Sequence, residues 1–193
     1  MGKMISVKLD AAQVLGAVEA LQGIDNGFVR AYARALNYCV EQTQGDMVSM
    51  ATEEYSFKVA AVKARMATKR AVWSDLTAAV KSKGQGVLLS DFVGTRQTKT
   101  GLTVNVKLAT GLQYIRHGFL NRAKSTGKII AMRRRVGASG VRAARYPVEA
   151  LYGPHPEVVW NTDDNWSTLQ DRADKRLPAV FSSEVDGVLR QYG

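Results

Sequence analysis

The sequence predicts an α+β protein: N-terminal helices, one of them long, then a central antiparallel β-sheet, then C-terminal helices. Three observations carry that prediction. Apolar residues recur at helical spacing from Ala11 to Ala51 and again from Trp166 to Tyr192. Between them, Leu102, Val104, Val106 and Leu108 alternate with Thr103, Asn105 and Lys107, the period of a strand with one apolar face. Clusters such as Lys81–Gly86 and Gly137–Gly140 punctuate this middle region as turns or loops.

Taken in order, Asp10 opens a first helix, with Gln13 placed to complete a capping box. Ala11, Val14, Leu15, Val18 and Leu21 form its apolar stripe, and Gly23 stops it. Asp25 or Asn26 caps a second helix whose face reads Phe28, Ala31, Tyr32, Ala35, Cys39, Met47, Met50 and Ala51. Run to Glu53, it spans on the order of 40 Å, with Gly45 as its weak point. Ser56 caps a short third helix, Phe57 to about Met66.

The period then changes. Arg70–Val80 reads as a strand with Val72, Leu76 and Val80 on one face, and Val87–Val93 as a second strand. Arg96–Gly101 reads as a turn, and Gln113–Leu120 fits neither period. Lys128–Val136 reads as a strand with Ile130 and Met132 inward, and Arg142–Leu151 as an extended segment held to a sheet edge by Pro147. Helix returns at Trp166, with a break expected at Pro178. Val180, Phe181, Val185, Val188, Leu189 and Tyr192 line the last helix. The expected organisation is one domain over residues 1–193. Within it, residues 1–66 are helical, residues 70–152 form a basic β region and residues 163–192 form the C-terminal helices.

The formal charge is +10 over 193 residues, and it is unevenly spread. Met1–Tyr55 carries a net −3, Ser56–Arg145 a net +17 and Tyr146–Gly193 a net −4. Such separation is costly by self-repulsion unless something anionic lies near. The candidate contact residues are Arg122, Lys124, Lys128, Arg133, Arg134, Arg135, Arg142 and Arg145. Three readings stay open for them: a solvated surface, phosphates of nucleic acid, or an acidic partner protein. On a strand, Arg133 and Arg135 share a face opposite Arg134. Tyr55–Met66, with Lys58, Lys63 and Arg65, is a weaker candidate for half of a helix-turn-helix.

No catalytic constellation can be assembled, so an enzyme is not expected. His117 and His155 lie far apart, and neither a serine elbow nor a phosphate-binding loop is present. Asp75 and Asp91 are the only acids in the basic block, and Asp163-Asp164-Asn165 reads as a helix start. Cys39, the only cysteine, falls on an apolar helix face and is expected to be a buried, inert thiol. No cofactor or metal site is expected. Met1–Leu9 shows no apolar h-region and no apolar run approaches the roughly 20 residues of a membrane span, so a cytosol-like compartment is expected.

Rigid turns around Tyr146, Pro147, Leu151, Tyr152, Gly153 and Pro154 suit either a subunit contact or a core-closing turn. Arg145-Tyr146-Pro147-Val148 followed by Leu151-Tyr152-Gly153-Pro154 also resembles a signature of the bacteriophage minor tail protein Z, or lambda Z-like, tail-completion family. Asn37 on the long helix, Lys69-Arg70-Ala71 and Arg176-Leu177-Pro178 agree in order, while His155 is a variation on the pattern. The resemblance implies a structural virion protein of the neck or tail that completes the tail and helps join it to the DNA-filled head. It implies a homo-oligomeric ring, commonly a hexamer, through which DNA passes. The implied partners are copies of itself, tail terminator or tail tube proteins, head-tail connector proteins and, in the lumen, genomic DNA. A sequence-nonspecific nucleic-acid-binding protein using the basic block is the alternative.

Overall fold

Described in the structure, a computed structural model, are residues 9–124, 126–134 and 148–192. Helix α1 is Ala11–Ala20, α2 Gly27–Glu54 and α3 Val59–Ala64. Strands β1 (Met66–Lys69) and β2 (Ala79–Ser82) follow, then β3 (Arg96–Gln97), β4 (Gly101–Asn105), β5 (Leu112–Arg116), β6 (Gly118–Arg122), β7 (Ile129–Arg134) and β8 (Val148–Ala150). Helices α4 (Glu157–Trp160) and α5 (Asp163–Tyr192) close the chain. The architecture is therefore α+β in the predicted order. Its antiparallel strands form three small sheets among the described residues, β1-β2, β3-β4-β5 and β6-β7-β8.

Contacts divide the chain into two compact units. The first comprises residues 1–47, 66–83 and 160–193, and the second residues 48–65 and 84–159. The first unit is built on α1, α2 and α5. Ala17 and Leu21 from the α1 end, Ala31, Ala35 and Cys39 from α2, and Leu177, Phe181, Val185 and Val188 from α5 form one buried cluster. Phe28, Tyr32 and Phe181 pack edge to face or tilted, with centroids 5.7–5.8 Å apart. The Gln13 side chain accepts the Asp10 N–H at 3.4 Å, the predicted capping-box contact. Helix α2 runs unbroken through Gly45.

The break expected at Pro178 is absent, since α5 continues through it. Leu169, Ala173, Leu177, Phe181 and Val185 recur every fourth residue on both sides of the proline and are all buried. Packing of that continuous stripe outweighs the roughly 3 kcal/mol that proline costs a helix interior.

The first expected strand is also corrected. Residues 70–78 connect the β1–β2 hairpin, in which Met66 pairs with Ser82 and Lys69 with Ala79. Val72 and Asp75 exchange two backbone hydrogen bonds of 3.0 Å, which closes a tight turn over Trp73 and Ser74. Lys81 and Ser82, expected in a loop, belong to β2.

The second unit has its core at the junction of its turns and sheets. Phe57 stacks with Tyr55 at 5.3 Å and packs tilted on Phe92 at 4.9 Å, and Val62, Val87, Leu102, Val104 and Ala131 of the same unit are buried. The expected strand at 87–93 is a bridge at Leu88 followed by a 3-10 turn, Leu89–Asp91. Residues 87–90 and Phe92 are buried whether apolar or polar, so the segment carries no period that separates strand from helix. The clearest predicted strand is present but shorter, with Leu102 and Val104 inward, and it stops at Asn105. Arg96–Gly101 holds a short strand, β3, as well as the turn. The ambiguous 113–120 segment is two strands divided at His117, whose φ of 60° reverses the chain. In β7 it is Ala131 that is fully buried, with Ile130 and Met132 half-buried. β7 is the central strand between β6 and β8.

Candidate functional site

The two units differ in charge. The first holds 12 basic and 12 acidic residues, the second 15 basic and 5 acidic. The whole surplus of +10 therefore lies in the second unit.

The β6–β7 hairpin concentrates some of that surplus. Arg122 pairs in register with Ile129, and the Ala123 N–H donates to the Lys128 carbonyl at 2.8 Å. This brings Arg122, Lys124 and Lys128 to one hairpin end, all exposed. Lys128 pairs with Asp91 at 3.1 Å, whereas Arg122 and Lys124 make no ion pair among the described residues. Arg133 lies at the far end of the hairpin, opposite Gly118, and is held by Glu149 at 2.9 Å. The Arg134 backbone pairs with Val148. Arg135, Arg142, Arg145, Tyr146 and Pro147 lie outside the described residues.

Sequence reasoning missed further cations of this unit. Arg96 on β3 and Arg116 on β5 share one exposed sheet face with Leu112 and Tyr114. Strand alternation is the signal that could have found them. Lys107 is held by Glu54 at 2.9 Å, and that hydrogen bond raises its pKa. The helix-turn-helix reading does not survive, because α3 has six residues and runs directly into β1. Lys58 donates to the Ser90 carbonyl at 2.8 Å and Arg65 to that of Gly86 at 3.2 Å, so two of its three cations serve their own unit.

Leu151–Pro154 is paired along residues 87–89. The Leu89 N–H donates to the Leu151 carbonyl at 2.9 Å, and the Gly153 N–H to that of Val87 at 2.8 Å. A Cβ at Gly153 would lie 2.5 Å from the Phe92 ring, so glycine is required there. Tyr152 is the outward residue, 61% exposed.

In the first unit, ionic groups largely answer one another. Asp46 binds Arg176 at 2.8 Å and Arg172 at 3.4 Å, and Glu41 binds Arg70 at 2.5 Å. The β1–β2 connection is tied to α2 by Asn37, whose amide donates to the Ala71 carbonyl at 3.0 Å and accepts the Ala71 N–H at 2.7 Å. Lys69 and Thr77 hydrogen-bond Asp75 and hold its carboxyl below the usual aspartate range. Asn37 and Lys69-Arg70-Ala71 thus brace a turn that displays Trp73, 62% exposed, beside Arg30 and Tyr192. Cys39 is buried, as expected, and burial raises its thiol pKa.

Among the described residues, no group of three or more His, Cys, Asp or Glu side chains could hold a metal ion. No described helix is long and apolar enough to cross a membrane. A family model for prophage minor tail protein Z (GPZ) matches residues 14–193. No curated protein and no solved structure matches the chain.

Proposed function

The chain belongs to the prophage minor tail protein Z family, a structural component of the phage tail, and from that premise we propose that it completes the tail and helps join it to the DNA-filled head. It acts as a homo-oligomeric ring, a hexamer, through which DNA passes, and it performs no catalysis. It is made in the host cytoplasm and meets tail terminator or tail tube proteins and head-tail connector proteins. The observation that carries this reading is the family match over nearly the whole chain. The charge partition adds the surface: the second unit's excess cations meet phosphates in the lumen or carboxylates on a neighbouring ring. Arg122, Lys124 and Lys128 are its described centre, joined by Arg133, Arg134, Arg135, Arg142 and Arg145. Tyr152, with Tyr146, Pro147, Leu151, Gly153 and Pro154, contributes to a subunit or partner contact.

Electron microscopy of intact particles, with native mass spectrometry of the purified chain, tests this. The proposal expects a ring at the head–tail junction. A chain located elsewhere in the particle contradicts it, and a soluble monomer that binds duplex DNA tightly supports the nucleic-acid-binding alternative.

A further inference from the structure

Two surfaces of the first unit stand exposed among the described residues, and their chemistries match. The first is the outer face of α1. Ala17 and Leu21 fix this helix to the core, while Leu15 is 63% and Val18 50% exposed. Glu19 lies one turn beyond Leu15 and is exposed too. Segment 9–26 contains Asp10, Glu19 and Asp25 and no lysine or arginine. The outer face points away from the core of its own unit, so Leu15 and Val18 gain nothing from that core and remain available to another molecule.

The second surface is a cleft of about 530 Å³ lined by Arg30, Arg34, Asn37, Val72, Trp73 and Tyr192. The Arg30 guanidinium lies 5.2 Å from the Trp73 ring and 5.1 Å from the Tyr192 ring. Its Nε is buried and has no hydrogen-bond partner, a cost that an incoming acceptor would remove. Arg34 is held only at 3.9 Å by Glu184 and stays half exposed. Val72 and Trp73 are 53% and 62% exposed, on a turn already fixed by Asn37 and Asp75, so little ordering cost remains on docking. Such a cleft suits an apolar anchor accompanied by a carboxylate, and tryptophan and arginine are the residues that dominate protein interfaces.

We propose that the cleft receives α1 of a second copy of this chain, with Leu15 and Val18 against Trp73 and Val72, and Glu19 facing Arg30 and Arg34. Charge complementarity favours this occupant, because the inserted segment is purely acidic and the cleft carries two arginines. The contact joins two different patches, so it is heterologous and propagates from copy to copy until a ring closes. It rests on the ring reading above and gives that ring one of its junctions.

The test uses the full chain in two variants, L15E/V18E, which spoils the inserted face, and W73A, which spoils the cleft. All three positions are exposed, and thermal melts check that both variants fold. Native mass spectrometry and sedimentation are expected to show each variant's self-association weakened at least about tenfold, the scale of a lost interface anchor. Mixed, the two variants are expected to form a one-to-one pair, since one intact junction remains between them. The charge reversal E19R is expected to weaken assembly and R34E, added to it, to restore it. A photo-crosslinker at position 73 is expected to capture residues 11–22 of another copy in assembled tails. Oligomers that survive both variants unchanged overturn this contact and leave the ring standing. A wild-type chain that is single both in solution and in assembled tails removes the ring, and the contact with it.

Discussion

The two units of this chain are of similar complexity but balance their charge differently. The helical unit pairs Asp46 with Arg172 and Arg176 and Glu41 with Arg70, and its basic and acidic residues are equal in number. The β-rich unit holds three basic residues for each acidic one and leaves Arg122 and Lys124 without ion pairs among the described residues. Folding alone explains the first arrangement. The second is unfavourable by self-repulsion in an isolated chain, a cost that the proposed contacts with phosphates or carboxylates would offset. The contrast also revises the division read along the sequence. The acidic N- and C-terminal stretches fold with the basic β1–β2 hairpin, and Glu41 on α2 already meets Arg70 within its own unit.

Substitutions in each unit test this contrast in charge balance and packing. The largest effect is expected in the β-rich unit from Gly153→Val, which drives a branched side chain into the Phe92 ring. It should cost about 3 kcal/mol, the upper end of the usual overpacking range, and hydrogen exchange should show the loss around residues 87–92. Next, Asp46→Ala in the helical unit removes the acceptor of two arginines and leaves Arg176, only 22% exposed, without its carboxylate. A loss of about 2 kcal/mol is expected in denaturant unfolding. Asn37→Ala removes both hydrogen bonds to Ala71 and should cost about 1–2 kcal/mol, with increased mobility of Trp73 seen in fluorescence anisotropy.

By contrast, neutralising Arg122, Lys124 and Lys128 together to glutamine should cost no more than about 1 kcal/mol, the scale of the Lys128–Asp91 ion pair it removes. The same variant should lower the salt dependence of polyanion binding by a slope of up to about 3. An unchanged slope would show that this hairpin end is not a contact for anions.

The smallest effect is one of pH. The Asp75 carboxyl is held below its usual range by Lys69 and Thr77. Its support of the Trp73 turn is therefore complete above the ordinary aspartate pKa and is lost as pH falls through the lowered folded value. Trp73 mobility should rise only in that acidic window, and Asp75→Asn should remove the transition.

How much of this was legible depended on period. The helices were readable because Leu21, Ala31, Ala35, Phe181, Val185 and Val188 repeat at helical spacing and all end in one core. The β4 strand was readable because Leu102 and Val104 alternate with Thr103 and Asn105. Residues 87–92 were not, because nearly all of them are buried and they carry no alternation. The 113–120 segment hid its boundary in one backbone angle at His117. Pro178 misled because its local rule is weaker than the packing of the residues around it. Charge density pointed to the basic block, but neither the Trp73 cleft nor the partition of charge between units was visible. Both depend on residues 66–83 folding with residues far away in sequence.

A density map of the intact tail in which the β6–β7 hairpin can be placed would show what the hairpin's cations face. Arg122, Lys124 and Lys128 are expected within ion-pair distance of DNA phosphates or of carboxylates on a neighbouring subunit. A map that shows the same three side chains facing open solvent, with no anionic group of another molecule beside them, would contradict that expectation.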